Sequence, residues 1–267
     1  MPDQEAAVKR LADYRPSSFA TDLELSFQLD PRETRVHTRY NMRRVINNSE
    51  PLVLDGVGIT LQGIALNGAP LSADHYQQEP ERLIVSVPLG TAAFILEIDT
   101  IICPEDNTAL EGLYMSGGRF CTQCESEGFR HIAFSLDRPD VLSRFEVSIE
   151  ADKARYPTLL SNGDLIDAGE AAGGRHYAVW QDPHLKPSYL FALVAGSFDT
   201  ITDEHTTPSG RHVKLYIHTD QGDAQRALYA MDSLKRAMAW DERVFGREYD
   251  LGEFHIVAVR DFNFGAM

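Results

Sequence analysis

The sequence predicts a mostly β fold with one long helix near its end. Three observations predict this class: apolar and polar residues alternate along Leu23–Leu29, asparagine–glycine pairs follow apolar runs, and only Asp223–Phe245 has convincing helical periodicity. A two-residue alternation is typical of a strand with one buried face, whereas apolar residues three and four apart indicate an amphipathic helix. Of the 267 residues, 43% are hydrophobic, which is enough for a substantial core in one or two domains.

Strand candidates follow one another at regular spacing through the first two-thirds of the chain. Leu23–Leu29 comes first, and Asp30–Thr34 then has the composition of a turn. Asn67-Gly68 and Asn162-Gly163 each predict a hairpin turn. The further predicted strands are Arg35–Arg44, Leu52–Leu54, Ile59–Leu66, Leu83–Val87, Ala93–Ile102, Arg144–Ala151, His176–Trp180, Tyr189–Ala195 and Val213–His218.

Asp223–Phe245 is the predicted long helix. Its apolar residues recur at three-, four- and seven-residue spacings and are expected to share one buried face: Leu228, Met231, Leu234, Met238 and Phe245. Asp220 or Asp223 is expected to cap the start of the helix, and Gly246 to end it. Beyond the helix, Phe254–Val259 is a short apolar run typical of a buried strand.

Composition and charge narrow the class of protein. The 25 basic and 40 acidic residues give a net charge of -15, and nucleic acid repels such a surface. No run of about 18 apolar residues is present, so no membrane span is predicted. Met1–Glu5 lacks the basic-then-apolar pattern of a secretion signal, and three cysteines are an odd count for a disulfide framework. We therefore expect a cytoplasmic protein that binds neither nucleic acid nor a membrane.

The most informative segment is Phe120–Pro139, in which charged and amide side chains are crowded among aromatic ones. Burying charge without partners is costly, so this concentration indicates either a surface segment with ordinary ion pairs or the wall of a cleft. If the chain is extended from Gln123 to Glu125, these two side chains share one face and the residue between them points the other way. In the alternative interpretation, Glu125 is merely paired with Arg130 or His131.

Two kinds of chemistry find little support in the sequence. A helical zinc site of the His-Glu-x-x-His type needs two imidazoles one turn apart, but none of the nine histidines is followed by Glu or lies four residues from another. Cys121 and Cys124 form a lone C-x-x-C, a weak signal for redox or structural zinc chemistry without a second cysteine pair. The sequence therefore predicts no metal ligands, and Cys103 is expected to be a core residue.

Several long strings, in order along nearly the whole chain, resemble the N-terminal domain of bacterial M1-type zinc aminopeptidases of the alanyl aminopeptidase group. T-Q-C-E-S-E-G-F-R-H-I, at Thr122–Ile132, is followed by L-D-R-P-D-V, and four further strings share the resemblance. Such a series is far more specific than a single short motif. The four further strings are Asn107–Ser116, Tyr156–Gly163, Trp180–Gly196 and Val257–Met267.

The resemblance implies a division of the chain into two parts. Residues 1–196 would form the saddle-like, multi-stranded β-sandwich domain of the family. Residues 197–267 would be the incomplete start of its thermolysin-like catalytic domain, contributing the first α and β elements. Gly265-Ala266-Met267 matches the first three letters of the family's G-A-M-E-N motif, and the sequence is therefore expected to be a piece of a longer protein that is inactive by itself.

For function, the resemblance implies removal of amino-terminal residues from peptide substrates. Glu125 matches the glutamate that binds the substrate ammonium group, and Gln123 matches a residue lining the same first subsite. The G-A-M segment matches backbone that pairs with the substrate as an extra strand. In the complete enzyme, zinc held by two His and a Glu, all outside this chain, would activate water. The substrate-binding residues implied are Gln123, Glu125, Phe264, Gly265, Ala266 and Met267.

Two departures from the family pattern V-A-V-D-D-F-N-M-G-A-M bear on specificity. Arg260 replaces the first Asp and places a positive charge near the expected docking point of a cationic terminus. Phe264 replaces a flexible Met beside the first subsite with a stiffer ring. These changes leave the residue preference open, and Arg260 would suit a non-catalytic M1-like scaffold that has lost activity. An independent β-sandwich binding module is a further alternative, which a stop codon directly after Met267 would favour.

Overall fold

The computed structural model describes residues 14–46, 48–87, 91–262 and 265. Phe264, Ala266 and Met267, which the sequence assigns to the substrate site, lie outside the described residues. No helix within the described ranges is long and apolar enough to span a membrane.

Eighteen strands and one α-helix form the described part of the chain. In chain order the elements are β1 (Phe19–Gln28), β2 (Thr34–Arg44), β3 (Leu52–Asp55), β4 (Thr60–Leu66), β5 (Ala69–Pro70), β6 (Tyr76–Gln78), β7 (Arg82–Val85), β8 (Ala93–Ile102), β9 (Gly112–Ser116), β10 (Arg119–Gln123), β11 (Ser143–Asp152), β12 (Thr158–Ser161), β13 (Asp164–Glu170), β14 (Arg175–Lys186), β15 (Leu193–Gly196), β16 (Asp199–Thr206), β17 (His212–Thr219), α1 (Leu228–Phe245) and β18 (Glu253–Val257). The predicted mostly β class is thereby confirmed.

The largest layer is an eight-stranded sheet in the order β13-β14-β11-β1-β2-β8-β4-β5. β1 lies at its centre, antiparallel to β2 and parallel to β11, and all other neighbours in the sheet are antiparallel. Alternate residues of β1 are buried, among them Leu23, Leu25 and Phe27. This burial follows from the period-two pattern of the sequence, because successive side chains of a strand point to opposite faces.

Two smaller sheets cover the buried face. Their orders are β12-β15-β10-β9 and β3-β7-β6, and their apolar side chains join those of the large sheet in one continuous core. Aromatic contacts connect the layers: the ring of Phe191 lies 6.1 Å from that of Phe27 and 5.2 Å from that of Phe129. The core therefore lies directly beneath the segment that follows β10.

The last part of the chain has a separate small core. β16, β17 and β18 form a three-stranded sheet, and α1 packs on it through Met231 and Met238. α1 ends as predicted at Gly246, whose φ of 62° is left-handed and whose N–H donates to the Glu242 carbonyl at 3.1 Å.

The predicted start and face of the helix are wrong in detail. A 3₁₀ turn occupies Ala224–Ala227, and neither it nor α1 has a side-chain N-cap hydrogen bond. The α-helix therefore begins at Leu228 and not at Asp223. Leu228 and Phe245, which were expected on the buried face, are 53% and 63% exposed. Asp220, a predicted cap, binds arginine side chains instead.

Four further sequence predictions are resolved by the strand pairing. Asn67-Gly68 is the predicted hairpin turn, between β4 and β5. Asn162-Gly163 is not a hairpin, because β12 pairs with β15 and β13 pairs with β14 in a different sheet. Of Tyr189–Ala195, only the end is strand, in β15. The predicted buried strand Phe254–Val259 is β18, which runs from Glu253 to Val257 and is half-buried throughout. Among the described strands, β18 pairs with β17 alone.

Candidate functional site

The site predicted around Gln123 lies where the chain leaves β10. β10 is antiparallel to β9, and Gln123 is opposite Gly112. A tight turn then spans Cys124–Gly128, closed by the Gly128 N–H, which donates to the Cys124 carbonyl at 2.8 Å. A Cβ at Gly128 would lie 2.5 Å from the Gln123 carbonyl oxygen, so glycine is required for this close approach.

Gly112, on the neighbouring strand β9, is also a position where glycine is required. Its φ of +72° is left-handed, and a Cβ there would lie 2.6 Å from the Cβ of His131. The Cys124–Gly128 turn and the 3₁₀ turn at Phe129–His131 therefore pack tightly on the end of β9. Two glycines thus fix the backbone that presents the candidate site.

The extended conformation considered from Gln123 to Glu125 is not what the structure has, because β10 ends at Gln123 and the turn begins at once. Gln123 is 1% exposed, and its Nε2 donates to the Glu125 carbonyl at 2.7 Å. Its Oε1 is buried and has no hydrogen-bond partner in the described structure. Glu125 is exposed, and no cation among the described residues pairs with its carboxylate.

Both side chains nevertheless line the same cavity, of about 370 Å³. The cavity carries three carboxylates and two basic groups, and its lining residues are Glu111, Gln123, Glu125, Ser126, Glu127, Gly128, Arg130 and His131. His131 Nε2 lies 3.4 Å from a carboxylate oxygen of Glu111. We call this cavity the acidic cleft.

Arg130 pairs with a buried carboxylate and not with Glu125. Its Nε and its backbone N–H both donate to Asp137 Oδ2, at 3.0 and 3.1 Å, and Nη2 lies 3.4 Å from Glu127. The other oxygen, Asp137 Oδ1, accepts a 2.6 Å hydrogen bond from Ser188. The pairing of Glu125 with Arg130 or His131, considered from the sequence, is therefore not what the structure has.

Sequence reasoning gave Asp137 and Ser188 no role in the site. Asp137 is 3% exposed, although it precedes Arg138-Pro139, a pair typical of a surface turn. The only available signal was its place directly after the apolar run Ile132–Leu136. Its burial depends on Ser188, 51 residues away, and a local pattern does not contain that contact.

The C-x-x-C cysteines do not present reactive sulfur. Cys121 and Cys124 are 2% and 0% exposed. Burial raises the pKa of the Cys121 thiol to about 12 and also raises that of Cys124, so both favour the neutral thiol over the thiolate that attacks or binds metal. Cys103 is half-buried rather than a core residue. Within the described ranges, no three His, Cys, Asp or Glu residues are grouped to hold a metal ion.

The segment leading to Gly265 runs beside β9. Asp261 accepts hydrogen bonds from the Tyr114 hydroxyl, to its carbonyl at 2.7 Å, and from the Ser116 hydroxyl, to its carboxylate at 2.8 Å. Arg260 is not an unpaired positive charge, because its guanidinium donates to Asp220. Of the predicted G-A-M residues, only Gly265 is described, and it is exposed.

Comparison with known proteins gives the context of this site. The peptidase M1 N-terminal domain family matches residues 15–190. Aminopeptidase N of Caulobacter vibrioides is 56% identical over 258 residues, which are 96% of this chain and 30% of that protein. The chain thus spans about 30% of the length of such relatives.

Solved structures give the same result. The chain superposes on Legionella pneumophila aminopeptidase A in complex with aspartic acid with a TM-score of 0.85 at 34% identity, covering 93% of this chain and 30% of that one. An M1 zinc metallopeptidase variant from Deinococcus radiodurans, bound to a Tyr-Ser-Ala substrate, shares the fold at 16% identity, with a TM-score of 0.74 over 90% of this chain and 56% of that one. The protein therefore belongs to the M1 peptidase family, and this chain contains the family's N-terminal domain.

Proposed function

We propose that this chain is the N-terminal part of a zinc-dependent aminopeptidase and that its acidic cleft binds the free amino terminus of a peptide. One observation carries the proposal: Gln123 Oε1 and the Glu125 carboxylate are acceptors without a partner in the described structure, and both residues line one cleft. A substrate ammonium group has three N–H donors and no acceptor, so it complements these two groups.

The orientation of Gln123 makes the complementarity specific. Because its Nε2 donates to the Glu125 carbonyl, its oxygen is the atom left to accept a hydrogen bond. The Glu125 carboxylate supplies charge, and charge-assisted hydrogen bonds are roughly twice as strong as neutral ones. An acylated amino terminus has neither the charge nor the three donors. The cleft is therefore suited to discriminate free amino termini from blocked ones.

The position of Gly265 is compatible with a place beside this cleft. The Asp261 carbonyl accepts a hydrogen bond from Tyr114, which lies two residues after Gly112, the residue of β9 opposite Gln123, or about 7 Å along the strand. Gly265 follows Asp261 by four residues, a reach of up to about 14 Å. We infer that Gly265 lies beside the cleft; the substrate-binding roles that the resemblance gives Phe264, Ala266 and Met267 stay proposals about residues outside the described ranges.

The activity of the whole protein rests on similarity. Relatives named aminopeptidase N support peptide hydrolysis at the amino terminus, and the Deinococcus protein is called a zinc metallopeptidase. The described residues do not fit a zinc ion, since no suitable group of ligands is present among them. In this proposal, zinc is held by another part of the polypeptide. Residues 197–267 form the beginning of the catalytic domain. The protein acts in the cytoplasm. Arg260 pairs with Asp220, so its positive charge is partly neutralised, which supports the catalytic proposal over a non-catalytic scaffold.

The decisive experiment is Glu125→Gln in the full-length protein, which keeps the shape of the side chain and removes its charge. Loss of a hydrogen bond to a charged group costs about 1.5–3 kcal/mol, so kcat/KM for an alanyl chromogenic substrate should fall about ten- to a hundred-fold. Glu170→Gln is the matched control, since Glu170 is exposed on β13 and pairs with Lys153 far along the chain from the cleft. An unchanged kcat/KM for Glu125→Gln would leave Glu125 no role in substrate binding. A metal-loaded full-length protein without peptidase activity would instead favour the scaffold interpretation.

A further inference from the structure

We propose that Asp220 is a positioning residue that fixes the segment leading to Gly265 against the domain carrying the acidic cleft. This inference rests on the proposed function, because it concerns how two parts of the same substrate site are aligned. Asp220 directly follows β17, and each of its carboxylate oxygens accepts from a different arginine. Oδ1 accepts from Arg119 Nη1, and Oδ2 accepts from Arg260 Nε.

Arg119, which holds Asp220 from the β10 side, is itself fixed by several contacts. It is the first residue of β10, its side chain is 16% exposed, and its Nε donates to the Ser197 carbonyl at 3.1 Å. Its guanidinium lies 4.6 Å from the centre of the Phe198 ring. A Cβ at Gly196 would lie 2.7 Å from Arg119 Cγ, so the arginine stem passes directly over this glycine.

Arg260 has no comparable support. Its side chain is 73% exposed, and Asp220 is its only ion-pair partner among the described residues. The next residue, Asp261, is bound to β9 through Ser116 and Tyr114. The segment is therefore attached at two consecutive residues, one to the carboxylate of Asp220 and one to the edge of β9.

The two attachments and the acidic cleft share a rigid base. β10 begins at Arg119 and ends at Gln123, so the Asp220 carboxylate lies near one end of this strand and the cleft at the other. Four residue steps along a strand correspond to about 13 Å. Asp220 thus fixes the position of Arg260, from which the chain continues to Gly265. Gln123 and Glu125 fix the position of the bound substrate amino terminus. Without its charge, two guanidinium groups would face each other without a shared anion, and of its two attachments the segment would keep the one at Asp261.

The test is Asp220→Asn in the full-length protein, with Asp203→Asn as the matched control in an exposed pair with Lys235. Misplacing bound substrate by about 1 Å can cost about a hundred-fold in rate. We expect kcat to fall about ten- to a hundred-fold, with KM within about threefold because the cleft is intact. Asp220→Glu should restore part of kcat, and adding Arg260→Gln to Asp220→Asn should cause little further loss, because the two residues act as one unit.

A second measurement does not depend on activity. Amide exchange in residues 258–262 should accelerate in Asp220→Asn, while exchange in the Cys124–Gly128 turn stays the same. If Glu125→Gln lowers kcat/KM but Asp220→Asn changes neither kcat nor exchange, Asp220 has no positioning role and the proposed function stands. If Glu125→Gln has no effect, the proposed function fails, and exchange alone then decides whether Asp220 anchors the segment.

Discussion

Gln123 is almost fully buried, and yet one of its two polar side-chain atoms has no partner in the described structure. Burying an unsatisfied acceptor costs about 1–3 kcal/mol. Asp137 shows the contrast, because it is also buried and both of its oxygens accept hydrogen bonds, from Arg130 and Ser188. The two residues therefore differ in kind: Asp137 holds the fold together, whereas Gln123 has capacity left for a ligand.

His218 is a second buried polar residue, and it predicts how stability depends on pH. Its Nδ1 lies 3.0 Å from the Thr200 hydroxyl, and its Nε2 lies 3.1 Å from Nδ1 of His255. Burial, followed by repulsion from His255, lowers the pKa of His218 to about 4. Burial also lowers the pKa of His255, although Glu253, which itself pairs with Lys214, opposes this.

We expect stability to fall as the pH decreases from about 6.5 to about 4. In this window the unfolded chain binds a proton at His218 and the folded chain does not, so acid favours unfolding. Each such group contributes a slope of up to about 1.4 kcal/mol per pH unit. Urea denaturation at several pH values should show a smaller slope for His218→Gln than for the wild type. The same change at exposed His75 should leave the slope as it was; equal slopes in all three proteins would contradict the assignment.

At the scale of the element, α1 shows which of its faces the small core needs. Met231 is 6% exposed and Met238 is 8% exposed, whereas Tyr229 on the other side is 75% exposed. Met231→Ala should destabilise the second core by about 2–5 kcal/mol, because it removes buried methylenes and leaves a cavity. Tyr229→Ala should change stability by no more than about 0.5 kcal/mol. The midpoints of urea denaturation check this, and equal losses would mean that α1 packs through a different face.

Most strands of the large sheet were predicted from their own local pattern, whereas β13 was not predicted. β1, β2, β8 and β11 are each ten or eleven residues long, and buried positions alternate with more exposed ones along them. The role of Asn162-Gly163 was not predictable, because the same dipeptide can join two paired strands in a hairpin or connect strands of two different sheets, as it does here. Here Gly163 approaches the Gln181 backbone, where a Cβ would lie 2.1 Å from the carbonyl oxygen. That contact is set by tertiary structure.

The sequence named two residues that line the candidate cleft, but it did not predict the shape of the cleft. Gln123 and Glu125 both line the cleft, but they do so across a turn rather than along one face of a strand. The turn depends on the close approach of Gly128, within the turn, to Gly112 on β9, a contact that no local pattern contains. β16 was missed altogether, because Ile201 is the single apolar residue among its eight and no apolar alternation marks the strand.

For the whole molecule, the presence of two cores predicts two levels of stability. The first core joins three sheets, whereas the second has one small sheet and one helix. The contacts between the two parts include the Asp220–Arg119 pair and a 2.8 Å hydrogen bond from the Gly252 N–H to Asp164. The second part also exposes apolar side chains, including Trp240, Val244 and Phe245. These features are typical of a region that opens first.

Limited proteolysis of the 267-residue chain should therefore yield a resistant core that ends near Gly196. Fast amide exchange should be confined to residues 197–267, because fewer buried apolar contacts hold this part. The wild-type chain under mild denaturant is the appropriate sample, with its monomeric state verified. Equal protection of both parts in a monomer would show that the second core is as stable as the first.

The parallel pairing of β1 with β11 has a consequence for the growing chain on a ribosome. β2 is made directly after β1, but β11 begins about 115 residues after β1 ends. At a synthesis rate of about 5–20 residues per second, one edge of β1 waits roughly 6–23 s for its partner. During that interval the future centre of the sheet is an open edge with Leu23, Leu25 and Phe27 uncovered on one face. The nascent chain is therefore most exposed to mispairing, and most in need of a chaperone, along β1, which in the folded protein lies at the centre of the sheet with a partner on each side.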